Sequence, residues 1–187
     1  LGNHCSKFID SPYSRTGILE GNPIHKDMVA ASKMAHQKYI VNVIIDADKK
    51  VVHAVAGDAI EAHAAGCKFL QDYCQVVPKK AADIAISTNG GYPLDQNMYQ
   101  SVKGMTAAEA AAKDDGILIM VSNCGDGHGG EGFYEALKNC SSPADLMEEI
   151  LKVPQDQTKP DQWEYQIQCR ILSLIHISEP TRLGMIS

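Results

Sequence analysis

Two stretches of the chain each place a short apolar strand before a glycine-rich loop and a helix, and this repeated order constrains the fold most. Residues 82–87 form the first apolar run, followed by a loop over 88–95 and a helix predicted over about 96–103. Residues 117–121 form the second, followed by a loop over 122–130 and a helix through Phe133 and Leu137. Successive strand-loop-helix units indicate a parallel α/β sheet. Ligands of such sheets bind beyond the carboxyl ends of the strands, where both loops are expected to lie.

The remaining segments give clear local signals. Asn22 and Pro23 have the pattern of a helix start, and apolar spacing extends this helix to about residue 37. Residues 39–45 and 51–56 predict a β-hairpin, residues 58–74 a helix, and residues 75–80 a connection between domains. Thr106 and Glu109 have the spacing of a capping box, which predicts that a new helix begins there.

Composition and charge exclude several classes of protein. Lys and Arg number 17 against 23 Asp and Glu, a net charge of -6 without a basic run, so nucleic acid is not an expected partner. The six cysteines form no Cys-x-x-Cys pair, which favours reduced thiols in a cytoplasmic protein over a zinc knuckle or a disulfide framework. No apolar run reaches the roughly 20 residues that a membrane helix needs, and the sequence begins without a signal-peptide pattern. We therefore expect a soluble cytoplasmic protein.

Both ends of the sequence depart from what a complete gene product would show. The chain starts at Leu1 without an initiator Met, so we expect a fragment. Residues 172–187 resemble the translated read-through of a sequencing-library adapter, and we interpret them as a non-native tail. His176 in that tail is therefore not a candidate ligand.

The second loop combines several glycines with two ionisable side chains. Gly127, Gly129 and Gly130 allow the backbone around Asp126 and His128 to approach a ligand closely or to bind an anion through its amides. A tight turn before a helix explains the same glycines equally well. The loop lacks the Gly-Lys-Ser/Thr ending of a Walker motif and does not match the dinucleotide-binding pattern.

Gln100 and Lys103 lie three residues apart and therefore on one helix face. An amide and an ammonium together can bind a carboxylate and a neighbouring hydroxyl. On spacing alone, a solvated helix face is the simpler interpretation, and the single Trp163 has the usual pattern of a core or interface residue. Residue patterns alone thus indicate an α/β enzyme fragment with two glycine-rich loops at its active site.

Several segments resemble the nickel-dependent lactate racemase family, in the same order and at similar spacing. The longest match covers residues 83–97, which include Asn89-Gly90-Gly91, and the others are residues 11–12 with 15–17, 24–29, 56–58, 102–110, 126–134 and 160–163. The resemblance extends over essentially all of residues 1–171. It implies a two-domain α/β enzyme, with residues 1–76 as the C-terminal tail of the cofactor-binding N-terminal domain and residues 77–171 as a truncated C-terminal α/β domain.

The resemblance also implies a chemistry. Family members racemise 2-hydroxy acids with a nickel ion held in a pincer cofactor, pyridinium-3,5-bisthiocarboxylate mononucleotide. In the family's reaction a hydride leaves the substrate Cα while a histidine removes the hydroxyl proton, which gives a planar 2-keto acid. The acid-base histidines and the cofactor lysine of the family lie upstream of this sequence, so the resemblance implies no catalytic residue here and an inactive fragment. His4 matches the histidine that completes nickel coordination, and Gln100, Lys103 and Trp163 match residues at the substrate site.

Two alternatives remain open at the level of sequence. One keeps the cofactor and changes the substrate to malate or a sugar-derived acid, because pocket walls choose the side chain of the substrate. The other is a paralogue that binds a small acid without turning it over. The sequence does not predict an oligomeric state.

Overall fold

The computed structural model describes residues 2–174, which divide into two compact units. One unit comprises residues 10–77, and the other joins the residues up to Ile9 to the segment that starts at Pro78. The assignment of residues 1–76 and 77–171 to two family domains stays a prediction. The non-native origin of residues 172–187 also stays a prediction. Residues 175–187, which include His176, lie outside the described residues.

The chain begins with a 3-10 turn, Gly2–His4, and a short helix α1, Ser6–Asp10. Helix α2, Pro23–Met34, starts where the sequence predicts, because the Asn22 side chain accepts hydrogen bonds from two amides of the first turn. It ends three residues earlier than expected, and His36 then has a positive φ of 54°.

The predicted hairpin is confirmed. Strands β1, Ile40–Ile45, and β2, Val51–Gly57, pair antiparallel with Ile40 opposite Gly57. Asp46 closes the turn, since its Oδ1 accepts from the amides of Asp48 at 2.9 Å and Lys50 at 3.0 Å. Helix α3, Ala59–Cys74, then packs on both strands.

The second unit contains the predicted parallel pair of strands. Strands β3, Ala82–Thr88, and β4, Ala112–Val121, run parallel, with Ile84 opposite Ile117 and Thr88 opposite Val121. Helix α4, Met98–Glu109, links them and packs on both. This is the crossover that a parallel pair requires.

The prediction of a separate helix starting at Thr106 is wrong. Helix α4 continues without a break to Glu109, and Thr106 Oγ1 donates to the carbonyl of Lys103 at 2.7 Å inside that helix. Gly104 sits mid-helix because a Cβ there would lie 2.8 Å from Met120 Cε and 3.2 Å from the Thr88 carbonyl oxygen. Strand β4 accordingly starts at Ala112 rather than at residue 117.

Three further helices complete this unit: α5, Glu131–Asn139, α6, Pro143–Leu151, and α7, Gln162–Leu174. Helix α7 packs against α4, α5, α6 and β4. The core consists of buried side chains from α4, α5, α6 and α7: Val102, Phe133, Leu146, Ile150, Tyr165 and Cys169. Among residues 2–174, no helix is long and apolar enough to cross a membrane.

A largely buried ion pair joins α7 to α4 and leads to a stability prediction. Arg170 Nε and Nη2 each donate to a carboxylate oxygen of Glu109 at 2.8 Å, and each side chain is 13% exposed. We expect Arg170→Leu to lower the free energy of unfolding by about 2–3 kcal/mol, because it leaves the carboxylate underpaired. Urea unfolding of the chain followed by circular dichroism measures this loss.

The exposed pair of Lys113 with Asp83 provides the control for this variant. Lys113→Leu should cost much less than Arg170→Leu, since solvent screens such exposed pairs. Equal losses for the two variants would contradict a special contribution from the buried pair.

Candidate functional site

The two predicted loops meet at the start of α4. The amides of Met98 and Tyr99 donate to the carbonyls of Gly127 and His128 at 3.0 and 3.1 Å, and the amide of Asp126 donates to the Gln96 carbonyl at 2.7 Å. The two loops that follow the carboxyl ends of β3 and β4 are therefore hydrogen-bonded to each other and do not form independent turns. This arrangement fixes the position of the first turn of α4.

The glycines of the second loop allow it to pack closely against its neighbours. A Cβ at Gly129 would lie 2.7 Å from Asn97 Oδ1, and a Cβ at Gly130 would lie 2.8 Å from Asp161 Oδ2. Both Gly127 and Gly129 have positive φ angles, of 67° and 87°. Backbone conformation and close packing thus account for glycine at these positions.

A cleft of about 380 Å³ opens beside the joined loops. Its lining is mainly polar and comes from both loops: Tyr92, Gln96, Asn123, Gly125 and Asp126. His128 does not line it; its ring stacks on Tyr134 with a centroid separation of 4.2 Å. The four residues that the family resemblance assigns to substrate and metal lie elsewhere in this unit.

Gln100 and Lys103 are in direct contact. Lys103 Nζ donates to Gln100 Oε1 at 2.7 Å and lies 5.8 Å from the ring centroid of Tyr99 and 5.9 Å from that of Trp163. An ammonium at these distances is attracted by the negative faces of the rings. The helix face predicted from spacing therefore carries a cation placed beside two aromatic rings.

Trp163 connects this pair to the start of the chain. Its ring meets that of Tyr99 edge-on at 6.0 Å and that of His4 edge-on at 5.8 Å. The N-terminal segment is held nearby because Gln166 Nε2 on α7 donates to the Ser6 carbonyl at 2.9 Å. The structure thus gathers Gln100, Lys103, Trp163 and His4 into one cluster, although they span most of the sequence.

The His4 ring has the properties of a neutral imidazole. Its burial lowers the pKa below the ordinary value of 6.5, so the uncharged form is favoured at neutral pH. Nδ1 lies 2.6 Å from Asn3 Oδ1. With Nδ1 donating to that oxygen, the lone pair of Nε2 is free to bind a metal, as in many metal-binding histidines. No group of three or more His, Cys, Asp or Glu side chains within residues 2–174 could hold a metal by itself.

Three residues that the sequence did not single out complete the cluster: Tyr99, Asp161 and Glu164. Burial raises the pKa of the Tyr99 hydroxyl to about 12, and the nearby carboxylates of Glu164 and Asp161 add to this effect. Tyr99 could have been found, because it lies four residues before Lys103 on the same helix face. Nothing in the sequence distinguishes Glu164, whose surroundings are set by the packing of α7.

Glu164 has an unusual environment. Its side chain is 0% exposed, and neither carboxyl oxygen has a hydrogen-bond partner in the described part of the chain. Burial raises its pKa to about 8, an effect that Lys103 opposes and Asp161 strengthens. The acid is therefore mostly protonated at neutral pH.

Comparison with known proteins identifies the family of this chain. A family model described as the lactate racemase C-terminal domain matches residues 77–187, more than half of the chain. The chain belongs to the lactate racemase family. The resemblance to this family and the predicted α/β fold class are thereby confirmed.

Individual relatives of the lactate racemase family match almost the whole chain. The lactate racemase of Thermoanaerobacterium thermosaccharolyticum is 56% identical over 172 residues, 92% of this chain and 40% of the relative. That of Lactiplantibacillus plantarum is 51% identical over 177 residues, 95% of this chain and 42% of the relative. The structure of the Thermoanaerobacterium lactate racemase apoprotein aligns with a TM-score of 0.90 at 55% identity, covering 93% of this chain and 42% of that one. The chain thus spans about two fifths of the length of the curated relatives it matches.

Proposed function

We propose that this chain is the C-terminal part of a cytoplasmic 2-hydroxyacid racemase that interconverts D- and L-lactate. The observation that carries the proposal is the single cluster of Lys103, Gln100, Trp163 and His4, in a chain more than half identical to two lactate racemases. All six cysteines are free thiols, which fits a reducing compartment.

Each side chain of the cluster has a distinct proposed role. Lys103 pairs with the carboxylate of the substrate, because an anion that leaves water needs a compensating cation. Gln100, already bonded to Lys103, orients the carboxylate or the hydroxyl so that Cα faces the reaction centre. The rings of Trp163 and Tyr99 lie beside the exposed ammonium of Lys103 and would flank a carboxylate bound there.

The residues present fit a nickel pincer cofactor in one respect, the nitrogen that His4 can offer to the metal. A pincer brings its own donors, so the protein needs to add few, and His4 offers a neutral imidazole with Nε2 free. The chemistry that the group supplies when bound is reversible acceptance of a hydride from the substrate Cα. Proton transfer at the hydroxyl would fall to histidines outside this chain, and we expect the chain alone to be inactive.

The proposed activity is testable in a hybrid enzyme, in which the N-terminal part of the Thermoanaerobacterium relative precedes residue 1 of this chain. After loading with the nickel cofactor, this hybrid should convert L-lactate to a mixture of both enantiomers, measured by chiral chromatography. The chain alone, incubated in the same way, is the negative control. A folded, nickel-loaded hybrid that racemises neither lactate nor another 2-hydroxy acid would favour a non-catalytic paralogue.

His4 should contribute to metal retention in that hybrid. We expect His4→Ala to weaken nickel retention by at least about tenfold, because even residues that only support metal ligands typically contribute that much. Nickel per protein after gel filtration, read by elemental analysis, measures the loss. His36→Asn is the matched control, since His36 is exposed and Asn tolerates its positive φ. Equal nickel content in both variants would remove His4 from the site.

A further inference from the structure

Glu164 lies in the interior next to the proposed substrate site, and the roles assigned above leave it unused. A buried carboxyl normally has hydrogen-bond partners, because an unpaired polar group loses its hydration without compensation. Both carboxyl oxygens of Glu164 lack a hydrogen-bond partner among residues 2–174. The residue before it, Trp163, has its ring centroid 5.9 Å from Lys103 Nζ. The packing of α7 against α4 brings this acid within electrostatic reach of the lysine.

The ammonium of Lys103 has hydrogen-bond donors that the described contacts do not use. An ammonium carries three N–H donors, and the hydrogen bond to Gln100 Oε1 uses one of them. Lys103 is the cation that favours the ionised form of Glu164, whereas burial and Asp161 disfavour it. Two other titratable groups of this cluster lie on segments next to α7: Tyr99 on α4 and His4 in the N-terminal turn, whose ring meets that of Trp163. The charged neighbours that act on Glu164 are Lys103 and Asp161.

We propose that Glu164 is a positioning residue that acts through Lys103: its carboxyl must be neutral for the ammonium to be free to bind the carboxylate of the substrate. This inference rests on the proposed function, since it assumes that Lys103 binds a 2-hydroxy acid. An ionised Glu164 would repel the carboxylate of the substrate and compete with it for the same ammonium, so ionisation of Glu164 and binding of the substrate oppose each other. Substrate binding is therefore linked to retention of a proton on Glu164.

The kinetic test compares the hybrid enzyme with its Glu164→Gln variant at pH 7 and pH 9. Gln keeps the shape of the side chain and cannot ionise, so the KM for lactate at pH 9 should be about fivefold or more lower than in the parent, with little difference at pH 7. Glu148→Gln, at an exposed position on α6, should keep the profile of the parent. If Glu164→Gln and the parent show the same change of KM with pH, the proposal is overturned.

A second measurement needs no racemase activity and leaves Glu164 intact. In the chain itself, carrying 13C-labelled Glu, the titration midpoint of the Glu164 carboxyl is read by NMR with and without Lys103→Met. Loss of the ammonium should raise this midpoint by at least about half a pH unit. Lys113→Met, which removes the exposed partner of Asp83, should leave it unchanged.

The two measurements separate the possible failures. An unchanged midpoint in Lys103→Met would show that Glu164 does not act through Lys103, which overturns the proposal whatever the hybrid does. A raised midpoint together with a hybrid that binds no 2-hydroxy acid would show that the charges are coupled and that the proposed function is wrong.

Discussion

Lys103→Ala should reduce kcat/KM for both lactate enantiomers at least on the order of a hundredfold in the hybrid enzyme, roughly 3 kcal/mol of transition-state stabilisation. The physical reason is that the carboxylate of the substrate would be desolvated beside Tyr99 and Trp163 without its cation. Gln100→Ala should cost less, because a neutral amide contributes orientation rather than charge. Steady-state racemisation in both directions, with the nickel content of each variant checked, measures the two effects.

Lys80→Ala is the matched control for this prediction, since Lys80 is exposed in the same unit. It should leave kcat/KM unchanged. Near-normal kinetics in a fully loaded Lys103→Ala enzyme would show that Lys103 belongs to a solvated helix face, as its spacing alone suggests.

The stability of the chain should fall as pH rises through the range in which Glu164 ionises. Burial raises its pKa from the ordinary value of 4.5 to about 8, so folding favours the protonated form. The stability that this preference contributes is fully present below about pH 4.5 and is lost as pH rises through about 8. At 1.36 kcal/mol per pKa unit, the loss has an upper bound of about 5 kcal/mol, and we expect about 2–4 kcal/mol after local relaxation.

Glu164→Gln isolates this effect, because the amide has the same shape and does not titrate. Its free energy of unfolding should match the parent within about 1 kcal/mol at pH 5 and exceed it by about 2–4 kcal/mol at pH 9. Urea unfolding at both pH values, followed by circular dichroism, gives the comparison. Parallel pH dependence in the two proteins would mean that Glu164 is hydrated or paired in solution.

Local signals in the sequence identified most elements, because the physics that sets them is local. Asn22 caps α2 through its own side chain, and the β-branched runs on either side of Asp46 form a hairpin as predicted. The capping-box prediction at Thr106 failed for a physical reason: the same side chain bonds equally well to a carbonyl inside a continuing helix. Packing of α4 on β3 and β4, where Gly104 leaves no room for a Cβ beside Met120 and Thr88, is consistent with that continuation.

The roles of Gln100, Lys103, Trp163 and His4 came from family resemblance, and their spacing indicates only a helix face and isolated aromatic residues. Tertiary structure brings them together: Gln166 holds the N-terminal segment on α7, and α7 packs on α4, so residues far apart in sequence share one cluster. Sequence by itself determined the strand-loop-helix order, because propensity and periodicity act over a few residues. Only the tertiary structure decided that Glu164 is a buried acid without a hydrogen-bond partner among residues 2–174 and within electrostatic reach of Lys103, because burial and electrostatic neighbours arise from long-range packing that no local pattern encodes.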